Sequence, residues 1–264
     1  MVLVGSAVHV MSCFVIFKLS LWEDRKYQQL FLLNFTSIFC GLAFIFFLTY
    51  RWFVEMELFM CLLGFQVFNL GGFWNSFSLV SLTLDCFIAV YCPLKFRSIL
   101  TMRQFFAFNV SALIVGLIIF FLPIFLYGFQ HEGYLSYICT FIAVFPPSYS
   151  IFLLIQSLIL GFSLVFLNIA IVFGVIRALI KQKQLSPQAR LCVKKMLKLV
   201  FRVVGVVAVN FVCSLFVTLI AVGIQIFPDS ICFFLAMSSS IWNIGIYCLS
   251  DENYRKSFKK AFGR

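Results

Sequence analysis

The chain has 264 residues, 63% of them hydrophobic and 11% charged, with a mean hydropathy of +1.09. Soluble domains run ~45–50% apolar and ~25% charged, so a soluble globular domain is excluded. The formal charge of +11 would suit nucleic acid, but the basic residues sit in short connections between apolar runs and in the tail, where they face anionic lipid and a cytosolic partner instead.

Met1 to Ser20 has neither a charged start nor a small-residue cleavage site, so it reads as a first membrane span, 2–21, and not as a cleaved leader. The chain begins almost inside that span, and no outer N-terminal tail is expected. His9 lies within it, either as a functional ionisable group or, more blandly, as a neutral histidine hydrogen-bonded between helices. A second span is predicted over 28–50. The third, 58–92, carries no charge from Cys61 to Leu84, which exceeds the ~20 residues that a helix needs to cross a ~30 Å hydrocarbon core. Asp85 stands at its far end, where the cost of a charge falls, and Pro93 turns the chain into a basic loop.

Further spans are predicted over 105–127, 149–176, 191–224 and 231–249. The loop 128–148 holds Cys139 and is the longest on the outer side. Over 251–262, Tyr254, Phe258 and Phe262 recur every four residues with lysines opposite, as in an interfacial amphipathic helix. The expected fold is therefore all-α, a seven-transmembrane helix bundle plus a short amphipathic eighth helix, forming a single domain over 1–264. All the Lys and Arg residues but Arg51 fall on one side of this topology. The positive-inside rule then places the tail in the cytoplasm and the N-terminus outside a multi-pass plasma-membrane protein.

Ten cysteines raise the question of metal or disulfide chemistry. Cys13, Cys40, Cys213 and Cys248 lie inside apolar runs, where cysteine behaves as a small hydrophobe, and there is no CxxC pair or Cys/His cluster, so no metal or cofactor is expected. Paired acids, a Ser/His pair and an HExxH run are all missing, which argues against an enzyme. The sequons at Asn34 and Asn109 fall in or near spans on the inner side and are discounted.

Three features share the third span: Cys61, Asp85 at 24 positions further on, and Pro93-Leu94 beginning eight after the acid. This spacing resembles the third helix of rhodopsin-like (class A) G-protein-coupled receptors. That family has an arginine and a tyrosine after the acid, where this chain has Cys86 and Phe87. Asn243 and Tyr247 match the family's Asn-Pro-x-x-Tyr run, with Ile244 in place of the proline. Cys213 matches helix six, but Ser214 and Phe216 stand where the family has tryptophan and proline. Asn34 matches helix two, yet the sodium-binding aspartate falls on Phe39, so no sodium site is implied. Together with Ile246-Tyr247-Cys248-Leu249-Ser250, the layout looks most like odorant or chemosensory receptors of the fish type.

The resemblance implies a disulfide between Cys61 and Cys139 on the oxidising side, two unpaired thiols being the alternative. It implies a ligand cavity lined by Phe68, Asn69, Gly72 and Phe73, by Ser214, Val217 and Thr218, and by Phe233 and Met237, although plain interhelical packing would also account for each of them. Phe68 stands where amine receptors carry an aspartate, so a small, neutral, hydrophobic, odorant-like ligand is implied. Asp85, Cys86, Phe87, Pro93, Leu94, Asn243 and Tyr247 would serve activation, with Leu94 touching a heterotrimeric G protein. Cys86 cannot make an arginine's charge-assisted bonds. A coupling-impaired or non-signalling relative is therefore the alternative within the family, and a membrane transporter the alternative outside it.

Overall fold

The computed structural model describes residues 2–18, 21, 25–53, 58–92, 101–127, 147–181, 204, 205, 208, 246 and 252–262. Their regular structure is all helical: α1 (Val2–Lys18), α2 (Arg25–Phe53), α3 (Leu58–Tyr91), α4 (Met102–Tyr127), α5 (Pro147–Lys181) and α6 (Glu252–Phe262). Local chemistry sets several of these ends. Thr101 and Gln104 form a capping box at the start of α4: the Gln104 carbonyl oxygen accepts the Thr101 N–H at 2.8 Å, and Thr101 Oγ1 accepts the Gln104 N–H at 3.4 Å. Helix α5 opens on Pro147, whose missing N–H is no loss in a first turn. In α6, Glu252 and Lys256 pair at 2.8 Å across one exposed turn.

Among the described residues, three helices are long and apolar enough to cross a membrane: Phe59–Tyr91, Arg103–Leu122 and Ile151–Ala178. The expected seven-transmembrane helix bundle is corrected by this finding. Helix α1 is apolar, and its described part Ser6–Lys18 is one of the shorter apolar helices. Helix α2 is not one of the three, and it turns a polar face inward through Gln29, Asn34, Thr36 and Ser37. The expected spans 191–224 and 231–249 lie outside the described residues apart from residues 204, 205, 208 and 246.

The surface is that of a membrane protein. Large apolar side chains point outward, as with Phe162 at 67% and Phe166 at 71% exposure, while the buried set includes His9, Gln66, Asp85 and Asn109. In water this arrangement would be unstable; in lipid, apolar groups meet the solvent and polar groups find partners inside.

Helix α3 is central. It packs against α2, α4 and α5, while α2 also packs on α1 and α1 on α6. Small residues permit the close crossings. A Cβ built on Gly71 would lie 3.0 Å from the Cys40 backbone of α2, and one on Gly174 would lie 2.6 Å from Val90 of α3. One apolar cluster ties the helices together, with Ile16 of α1, Leu30 of α2, Leu82 and Cys86 of α3, Ile171 and Val175 of α5, and Tyr254 of α6.

Candidate functional site

Polar side chains in a lipid-embedded fold must be satisfied within it, so their pairings outline the places where function can reside. Toward the C-terminal end of α3, Asp85 accepts a hydrogen bond from Gln29 Nε2 of α2 at 2.6 Å. Cys86, the next residue, is not disulfide-bonded and is buried in the apolar cluster. Phe87 stacks on Tyr91 with ring centroids 4.6 Å apart, and the Tyr91 hydroxyl donates to the Ala170 carbonyl of α5 at 2.7 Å. The structure thus gathers Asp85, Cys86 and Phe87 where α2, α3 and α5 meet. Pro93, Leu94, Asn243 and Tyr247 lie outside the described residues.

A second network joins α1, α2 and α6. His9 donates through Nδ1 to Asn34 Oδ1 at 2.6 Å, Asn34 Nδ2 donates to Ser12 Oγ at 2.7 Å, and Ser12 and Tyr254 share a 2.6 Å hydroxyl bond. Tyr254 also stacks on Tyr27. Asn34 is therefore the hub between α1 and α2, a role visible in the sequence only as a lone amide in an apolar run. A third network ties α3 to its flanks. Asn75 Oδ1 accepts from Thr36 at 3.2 Å and Ser37 at 3.1 Å, and Ser78 donates to Asn109 Oδ1 of α4 at 3.1 Å.

Near the N-terminal end of α3, Cys61 is disulfide-bonded, whereas Cys13, Cys40, Cys86 and Cys92 form no disulfide. Cys139 lies outside the described residues, as do Ser214, Val217, Thr218, Phe233 and Met237. The expected α3 lining divides in two. Phe73 turns to α4, where its ring packs against Phe120 at 5.6 Å and its edge against Gly116. Gly72 faces open space, with nothing within 4 Å of where a Cβ would stand, and Asn69 has a buried amide nitrogen with no partner. Phe68 is half-buried. Sequence reasoning did not single out Gln66, whose Oε1 accepts the Tyr149 hydroxyl of α5 at 2.9 Å. The available signal was a glutamine one turn before Asn69 in an otherwise apolar stretch.

No family model matches the chain, and no curated protein does.

Proposed function

We propose that this membrane protein is a receptor of the rhodopsin-like G-protein-coupled kind, closest in character to odorant or chemosensory receptors. It takes a small, neutral, hydrophobic ligand on its outer side and passes the signal to a heterotrimeric G protein. The observation that carries this reading is the placing of two features on one helix. The disulfide-bonded Cys61 and the hydrogen-bonded Asp85 stand 24 residues apart on α3, a rise of about 36 Å, longer than a ~30 Å hydrocarbon core. The weight of Lys and Arg supports a cytoplasmic tail and an outer N-terminus in the plasma membrane. Binding would bias an equilibrium of helix arrangements, to the extent that the ligand prefers one of them.

Cys139 is the proposed partner of Cys61. A non-reduced digest is expected to yield a peptide linking residues 61 and 139; recovery of Cys61 with any other cysteine overturns the pairing.

A specific observation favours a second reading, a receptor weakened in coupling. Cys86 is an uncharged thiol buried among Leu82, Ile171 and Val175, so no guanidinium stands beside Asp85 on α3. The test for both is G-protein activation in cells given an odorant panel, with surface expression measured, for the native chain and Cys86→Arg side by side. An odorant-dependent response of the native chain is expected. A response only in Cys86→Arg assigns the weakened form, and silence of both at normal surface levels sinks the receptor reading.

A further inference from the structure

Lipid offers polar atoms no partners, so a membrane helix rarely leaves them buried and unbonded. Four side-chain amides of α3 and α5 do so: Asn168 lies toward the Asp85 end, and the other three lie toward the Cys61 end. Gln66 is fully buried, and its Nε2 has no partner while its Oε1 holds Tyr149. Asn69, one turn further along α3, buries an Nδ2 with no partner, and Gln156, two turns beyond Tyr149 on α5, buries an Oε1 with none. Turning any of these amides end for end exchanges a donor for an acceptor and still leaves it incompletely bonded.

Helix geometry brings these groups to one seam. Helices α3 and α5 run in the same direction, tied by Gln66–Tyr149 near one end and by Tyr91–Ala170 near the other. Gln156 precedes Gly174 by eighteen residues, five full turns at 3.6 per turn, and Gly174 is where α5 presses against Val90 and Tyr91 of α3. Gln156 therefore heads toward α3. The paired positions differ by 83 residues at one tie and 79 at the other, which sets Gln156 level with residues 73–77 of α3. The rise from Asn69 to that level is about 6–12 Å. Gly72 lies within this interval, and the space beside it is open. No Asp, Glu, Lys or Arg occurs on α3 from Leu58 to Leu84 or on α5 from Pro147 to Ile176.

We infer that the outer α3–α5 seam is a polar subsite for an uncharged ligand that carries a carbonyl-type acceptor and, a short apolar chain away, a hydroxyl or amide N–H donor. Gln66 and Asn69 donate to the acceptor, Gln156 accepts from the donor, and the space beside Gly72 admits the chain between them. Charged amines and acids are disfavoured because the seam holds no counter-ion. The inference rests on the receptor reading for the ligand's purpose, and on the seam alone for its chemistry.

The test uses purified full-length protein in phosphatidylcholine nanodiscs, without G protein. The probes are 9-hydroxynonan-2-one, nonan-2-one, nonan-1-ol and nonane, titrated by ligand-observed NMR. The bifunctional probe is expected to bind tightest. Gln156→Leu should erase its advantage over nonan-2-one, and Asn69→Leu its advantage over nonan-1-ol, each lowering its affinity roughly tenfold. Both variants should raise the melting temperature of the unliganded protein, because each removes an amide that is buried and unbonded. A structural amide would move melting the other way. Equal binding of nonane and 9-hydroxynonan-2-one, or a lowered melting temperature in both variants, overturns the inference. Binding with these preferences but no G-protein response fails the receptor reading and keeps the subsite. Signalling to an odorant whose potency ignores both substitutions does the reverse.

Discussion

Replacing Asn34 with leucine is expected to loosen α1 and α6 from the rest of the protein, at a cost of about 2–3 kcal/mol. The side chain makes two bonds, accepting from His9 and donating to Ser12, and Ser12 in turn holds Tyr254 of α6. Interhelical hydrogen bonds in membranes average only ~0.6 kcal/mol, because separated helices find other partners in the bilayer. Two such bonds would account for little more than 1 kcal/mol. The larger figure comes from what stays behind. His9 and Ser12 are both fully buried, and His9 Nε2 already has no partner, so the substitution strips the imidazole of its remaining bond inside the packed interface. A buried group left unbonded costs ~1–3 kcal/mol. Tyr254→Phe, which removes one bond at the edge of the same network, should cost under about 1 kcal/mol, with the stack on Tyr27 kept. Chemical denaturation in matched detergent micelles reads both. Equal effects of the two variants would show that Asn34 is not the hub.

That network shows which parts of the molecule are legible in sequence. The sequence predicts a third span over 58–92, and the helix runs Leu58–Tyr91, following the unbroken apolar run that ends before Pro93. The tail helix was legible from the four-residue recurrence of Tyr254 and Phe258, and the structure buries Tyr254 completely against the core. Helix α4 begins three residues before the expected 105, since Thr101-Met-Arg-Gln104 reads as a polar loop until its two side chains are seen to close the first turn. Helix α5 runs on to Lys181, past the expected 176, because hydropathy marks where the apolar stretch stops and hydrogen bonding continues beyond it. The seven-span count failed for a related reason. Composition detects apolar stretches one at a time, whereas among the described residues three helices are both long and apolar enough to cross a membrane.

The candidate site was legible in its residue types and not in its partnerships. Asp85 and Asn69 stand out as polar groups in or beside apolar runs, while Gln29 and Gln66 are equally polar and carry no expectation. Nothing in a single chain says that Gln29 meets Asp85 across 56 positions, or that Tyr149 meets Gln66 across 83. Helical periodicity assigns a residue to a face, and only packing assigns that face to a neighbour. Phe73 is the clearest case, since it shares an apolar stretch with Gly72 and yet packs on α4 while Gly72 looks into open space.

The pair near the C-terminal end of α3 carries the other large effect. Gln29→Leu is expected to cost about 2–3 kcal/mol, because the Asp85 carboxylate loses a 2.6 Å donor at a position only 5% exposed. Asp85→Leu leaves the Gln29 amide buried without its acceptor, at a cost of ~1–3 kcal/mol. The two losses are not independent. Each single variant takes this bond from the other side chain, and the double variant removes both polar groups together. Gln29→Leu with Asp85→Leu should therefore cost no more than the worse of the two singles, giving a coupling of at least about 1 kcal/mol in a double-mutant cycle. Denaturation of all four proteins in the same micelles measures it. Simple additivity would mean that the 2.6 Å contact does not hold α2 to α3, and that Asp85 is retained by other neighbours. Where the cycle closes as expected, the acid is tied into the core by an amide from the adjacent helix, on a helix where the thiol of Cys86 supplies no charge.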